Sequence, residues 1–161
     1  MRRSPSCSFI NRDKFLFEDK RDILLVEDNR YNVEFMLEAL EKHNLADRVI
    51  IFQDGAMALD YLFATGEYSD RDPRMQPKVI LLDLRLPKVG GLEVLQRIKS
   101  HEMTRMIPVV VFTSSAKDQD RQESYELGAN SYIIKPHSHE NFVKSVAEIV
   151  SYWALQNVPY C

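Results

Sequence analysis

Val79-Ile80-Leu81-Leu82 runs without a polar break into Asp83, with Pro87, Gly90 and Gly91 close behind. Four consecutive Val, Ile and Leu residues cannot alternate between a wet and a dry face. They fit a strand covered on both sides, as inside a parallel sheet. Ile23-Leu24-Leu25-Val26 and Pro108-Val109-Val110-Val111-Phe112 have the same character. Val49-Ile50-Ile51-Phe52 and Ser131-Tyr132-Ile133-Ile134 complete a set of five expected strands.

Helical patterns fall between them. Asn29 is a natural N-cap for a helix to about His43, with Tyr31, Phe35, Met36 or Leu37, and Leu40 at helical spacing. Asp54-Gly55 opens a second helix holding Met57, Leu59, Leu62 and Phe63, and Gly90-Gly91 opens a third holding Leu92, Leu95, Ile98 and then Met103. A fourth, from about Lys117 to Leu127, is nearly all polar and is closed by Gly128 at C′. Ser138 caps the last, whose apolar residues are Phe142, Val143, Val146, Ile149, Val150, Trp153 and Leu155. Residues 65–77, with two prolines and few apolar positions, read as an exposed connection. Five strands alternating with five helices predict an α/β domain, a doubly wound five-stranded parallel sheet with helices on both faces.

The 161 residues suit one domain with a real core. A net charge of −3 argues against a nucleic-acid or membrane-surface binder, and no apolar run approaches the roughly 18 residues of a membrane span. Cys7 and Cys161 read as incidental thiols, which suits a reducing cytoplasm. Residues 1–20 lack the apolar core of a secretory signal and read as a poorly ordered leader that docks through Phe15 and Phe17. Residues 21–155 form the expected domain with an extended last helix, and 156–161 a tail.

In an open α/β sheet, ligands bind at the carboxyl ends of the strands. Strand one ends in Glu27 and Asp28, strand three in Asp83, strand four in Thr113 and strand five in Lys135. Singly, each has a dull explanation. Together they place three carboxylates, a hydroxyl and a cation on one rim. Carboxylates in one crevice repel, so a divalent cation is the expected remedy. An all-oxygen set without His or Cys selects a hard ion such as Mg²⁺.

Leu24-Leu25-Val26-Glu27-Asp28-Asn29, Leu81-Leu82-Asp83-Leu84-Arg85-Leu86-Pro87 with Gly90-Gly91, Phe112-Thr113-Ser114 and Ile134-Lys135-Pro136 resemble the receiver domain of two-component response regulators. The match covers about 21–150. The polar insert near Asp70 and the long last helix further resemble single-domain regulators paired with cyanobacterial phytochrome kinases. The resemblance implies a flavodoxin-like strand order of 2-1-3-4-5. It implies that Asp83 accepts a phosphoryl group from a phosphohistidine of a sensor histidine kinase. Mg²⁺ would be held by Asp83, Asp28, Glu27 (chiefly through water) and the Arg85 backbone carbonyl, with Lys135 and Thr113 on phosphoryl oxygens. The Lys135-Pro136 bond would be cis. Thr113 and Tyr132 would form a switch that alters the face of the fourth helix, fifth strand and fifth helix. Arg85 and Ser115 occupy positions that tune hydrolysis of the aspartyl phosphate.

Catalysis would be limited to the protein's own phosphoryl transfer and dephosphorylation. Output would pass through protein contact or a downstream phosphotransfer protein. Surplus apolar surface on the last helix suggests a homodimer through Phe142, Val146, Ile149, Trp153 and Leu155. Two alternatives are weaker. A phosphatase of the haloacid dehalogenase type would want an Asp where Arg85 stands, and a nucleotide binder would need glycines where Glu27-Asp28-Asn29-Arg30 stands. A receiver-like module that never takes phosphate stays open. The charges between Asp118 and Glu126 read most simply as a solvated face, and His137 and His139 do not share a helix face.

Overall fold

The computed structural model describes residues 21–160. Five strands, β1 (Ile23–Val26), β2 (Val49–Phe52), β3 (Val79–Leu82), β4 (Val109–Thr113) and β5 (Ser131–Ile134), form one parallel sheet in the order β2-β1-β3-β4-β5. The helices are α1 (Arg30–Glu41), α2 (Gly55–Phe63), α3 (Gly91–Ser100), α4 (Asp118–Glu126) and α5 (His139–Val150), the last continued by a π-helical turn, Ser151–Gln156.

The unbroken apolar runs have a simple cause. Alternate residues of β1, β3 and β4 feed two separate cores. Ile23, Leu25, Val79, Leu81, Val110 and Phe112 pack under α1 and α5. Leu24, Val26, Ile80, Leu82, Val109 and Val111 pack under α2 and α3. With both faces covered, the central strands are apolar up to their carboxyl ends, where Thr113 closes β4.

Helix ends follow local chemistry. Asn29 accepts from the Tyr31 and Asn32 N–H groups, Asp54 from Met57 and Ser138 from Asn141. Gly128 follows the end of α4 with φ +102°, a conformation that costs glycine little. Residues 65–77 are tied down rather than loose. The Arg71 guanidinium stacks over the Tyr61 ring and bonds its carbonyl, while Gln76 donates to the Leu62 and Pro73 carbonyls.

The structure departs from two expectations. Phe142, Val146 and Ile149 are 4%, 0% and 6% exposed and belong to the core beneath α5. Phe142 meets Phe35 and Phe112 edge to face. The apolar stripe of α5 is the lid on one side of the sheet, so these three residues cannot meet a partner. Trp153 packs partly against the same core, and Leu155 alone of the expected dimer face is exposed. Second, no cis peptide bond occurs among the described residues, so Lys135-Pro136 is trans. Trans is the ordinary preference for an X–Pro bond, and the long lysine side chain reaches the crevice from it. The leader and Cys7 and Cys161 lie outside the described residues.

Candidate functional site

The sheet register brings the site together. The ladder continues one residue past the strands: Glu27 N–H donates to the Phe52 carbonyl, Asp83 N–H to Val26 and Lys135 N–H to Thr113. In a parallel sheet, equal extension of neighbouring strands sets their next residues side by side. Glu27 and Asp83 therefore stand level, Thr113 and Lys135 follow one and two positions further along the same rim, and the Lys135 side chain reaches back to Glu27 although 108 residues separate them.

All four are buried, Glu27 at 1%, Asp83 at 5%, Thr113 at 0% and Lys135 at 8% exposed, and Asp28 lies outermost in contact with solvent. One carboxylate oxygen from each of Glu27, Asp28 and Asp83 lies within 4.8 Å of the others. The Lys135 ammonium lies between two of them, 2.9 Å from Asp83 Oδ2 and 2.5 Å from Glu27 Oε2. The remaining oxygens are also engaged. Asp83 Oδ1 accepts from the Arg85 N–H at 3.2 Å, and Glu27 Oε1 from the Asn29 N–H and the Asn32 amide. Burial pushes the Glu27 carboxyl above its ordinary range, and the neighbouring Asp83 charge adds to this, while Lys135 pulls it back. One ammonium does not balance three carboxylates, and the donors are all oxygen. That set fits a hard divalent cation.

Two glycines frame the loop after β3 differently. A Cβ on Gly91 would lie 2.3 Å from the Asp83 carbonyl oxygen and 2.4 Å from Leu84 Cα. The Gly91 N–H donates to the Leu84 carbonyl at 3.0 Å, so the start of α3 is pressed against the backbone of the aspartate. At Gly90 nothing lies within 4 Å. On the same loop, Lys88 in a left-handed conformation (φ 63°) reaches Asp54, the N-cap of α2, at 3.2 Å.

The response regulator receiver domain family matches residues 23–147. The chain belongs to that family. Among curated relatives of this receiver, the "Probable methanogenesis regulatory protein FilR2" of Methanothrix harundinacea is 45% identical over 136 residues, covering 84% of this chain and 85% of its own. Response regulator Rcp1 of Synechocystis is 41% identical over 131 residues, 81% of this chain and 87% of its own. The Mn²⁺-bound Rcp1 structure and that of the phosphorylated cyanobacterial phytochrome response regulator RcpA each superpose with a TM-score of 0.80 at 37% identity over 86% of this chain. They are covered to 98% and 97% of their own lengths respectively.

The remaining expected residues of the receiver gather around the loop after β4. Thr113 Oγ1 accepts from the Ser115 N–H at 3.3 Å, and the Tyr132 hydroxyl donates to the Ser115 carbonyl at 2.9 Å. Burial raises the Tyr132 phenol above its usual value. The ring thus already reaches this loop. The Arg85 side chain is exposed, and the Ser115 hydroxyl donates to Asp120 at 2.5 Å. Sequence reasoning missed Asn32 and Asp120. Asn32 carries the signal of an amide in the first turn after an acidic pair, whereas Asp120 is one charge among many on α4. His139 bonds Glu38 at 2.7 Å and meets Phe35 edge to face, joining α5 to α1 rather than to His137. No helix among the described residues is long and apolar enough to cross a membrane.

Proposed function

We propose that this receiver is a single-domain response regulator whose Asp83 accepts a phosphoryl group from the phosphohistidine of a phytochrome-type sensor kinase. The observation that carries the reading is the buried Asp83 at the end of β3, with Lys135 on one oxygen, Thr113 on the adjoining strand and Glu27 and Asp28 beside it. An Asp83 oxygen attacks phosphorus, the N–P bond breaks, and its electron pair leaves on the imidazole. Such transfer needs alignment and charge neutralisation more than covalent chemistry from the protein. Lys135 and the Thr113 hydroxyl bind phosphoryl oxygens, and the Arg85 N–H orients the nucleophile. Asp28, Asp83, Glu27 and the Arg85 carbonyl would hold Mg²⁺, which when bound neutralises phosphoryl charge. The Mn²⁺-bound form of Rcp1 and phosphorylated RcpA support this assignment by analogy.

Thr113 turns toward the phosphoryl group and the space it leaves lets Tyr132 rotate inward, biasing the α4-β5-α5 face for a downstream partner or phosphotransfer protein in the cytoplasm. Arg85 and Ser115 set the lifetime of the phosphoryl group. A homodimer would use the exposed end of the chain, where Tyr152, Leu155, Val158 and Tyr160 are each at least half exposed, beside Trp153.

Intact mass spectrometry after incubation with acetyl phosphate and Mg²⁺ tests the core of this reading. One added phosphoryl group, lost in Asp83→Asn and with a chelator, is expected. No addition under any condition would leave a phosphate-independent interaction module. Sedimentation of wild type and Leu155→Glu tests the dimer.

A further inference from the structure

Every polar group of Ser115, itself 3% exposed, is engaged. Its N–H meets Thr113 Oγ1 and its carbonyl receives Tyr132. Its hydroxyl accepts from the Lys117 N–H at 3.3 Å and donates to the Asp120 carboxylate. Asp120 stands in the first turn of α4, where a negative charge is favoured by the helix dipole. That helix has no apolar stripe: its sequence is Asp-Gln-Asp-Arg-Gln-Glu-Ser-Tyr-Glu, and Ser124 is its buried residue. A helix of this composition gains little from burial, so its seat on the loop depends on polar contacts.

We infer that Asp120 is a positioning residue: by holding the Ser115 hydroxyl, its carboxylate fixes the β4–α4 loop so that Ser115 meets Thr113 on one side and Tyr132 on the other. This rests on the reading of Thr113 and Tyr132 as the switch pair. Asp120 is then the link through which the seat of α4 and the phosphoryl site bias one another, and such coupling is reciprocal. Loss of a charge-assisted hydrogen bond of this kind shifts a local equilibrium by about tenfold or more.

The test is fluorine NMR of unphosphorylated protein carrying 3-fluorotyrosine, with the Tyr132 line assigned by Tyr132→Phe. In Asp120→Ala the Tyr132 line is expected to move toward the position of solvent-exposed fluorotyrosine. In Asp120→Asn, which keeps an acceptor oxygen without the charge, it should fall between. Asp118→Ala removes an equivalent first-turn charge that pairs with Arg121 instead, and should leave the line in place. Adding Asp120→Ala to Ser115→Ala should move it no further than Ser115→Ala alone. The acetyl phosphate concentration for half-phosphorylation should rise about tenfold in Asp120→Ala. An unmoved Tyr132 line in Asp120→Ala, an equal shift in Asp118→Ala, or additive effects in the double variant would overturn the inference. Because the fluorine signal needs no phosphate, a wild type that cannot be phosphorylated would sink the functional reading while the line still decides the role of Asp120.

Discussion

Adding one methyl group at each member of the Gly90-Gly91 pair should have opposite consequences. At Gly91 the new Cβ would stand 2.3 Å from the Asp83 carbonyl oxygen, 2.4 Å from Leu84 Cα and 3.0 Å from the Asp83 carbonyl carbon. Ordinary contacts begin near 3.4 Å, so the start of α3 and the Asp83 backbone must part by about 1 Å. Both neighbours are main chain and cannot swing aside as a side chain would. Overpacking of this kind costs about 1–3 kcal/mol, against which the better helix propensity of Ala returns less than about 1 kcal/mol. Displacing a nucleophile by about 1 Å can slow its reaction by about 10²-fold. At Gly90 the space is open and φ is −65°, which Ala adopts freely. A poorer N-cap there is offset by lower entropy of the unfolded chain, leaving a net change within about 0.5 kcal/mol. Urea unfolding gives the stabilities, and timed mass spectrometry with acetyl phosphate and Mg²⁺ gives the rates. Gly91→Ala should lose stability and fall at least tenfold in rate, while Gly90→Ala stays within twofold of wild type. Two variants that behave alike would refute the argument that backbone contact at Gly91 places Asp83.

Lys135→Met leaves Glu27 and Asp83 buried without their shared cation, and should cost about 3–5 kcal/mol in urea unfolding without divalent cations. Adding Asp83→Asn should return part of that loss. Burial holds the Lys99 ammonium down to about 8, so between pH 8 and the ordinary lysine value of 10.5 the unfolded chain binds the extra proton. Stability therefore gains about 1–2 kcal/mol across that window, after discounting for partial exposure, and Lys99→Met should abolish that component of the slope in unfolding curves. The Met57 N–H, with Lys88, keeps the Asp54 carboxyl below its usual range. Its stabilisation is then present above pH 3.8 and fades as pH falls through the lower folded value. Asp54→Ala should cost about 1–2 kcal/mol at pH 7, and the deficit should shrink in acid.

Much of the architecture was local and therefore readable in the chain. A run such as Val79–Leu82 is apolar at every position because both faces of β3 are covered, and Asn29, Asp54, Ser138 and Gly128 mark helix ends by contacts within a few residues. Once the strands are parallel, Glu27, Asp28, Asp83, Thr113 and Lys135 must share a rim, so the candidate site follows from strand ends alone. What needed the tertiary structure depends on distances between segments far apart in sequence. Phe142, Val146 and Ile149 look the same in sequence whether they cover a sheet or a partner, and packing against Phe35 and Phe112 decides for the sheet. Asp120 and Asp118 are equivalent letters on one polar helix, yet only Asp120 bonds Ser115. Gly90 and Gly91 are adjacent and identical, and the difference between them is the backbone of Asp83 lying 2.3 Å from where one missing methyl would be.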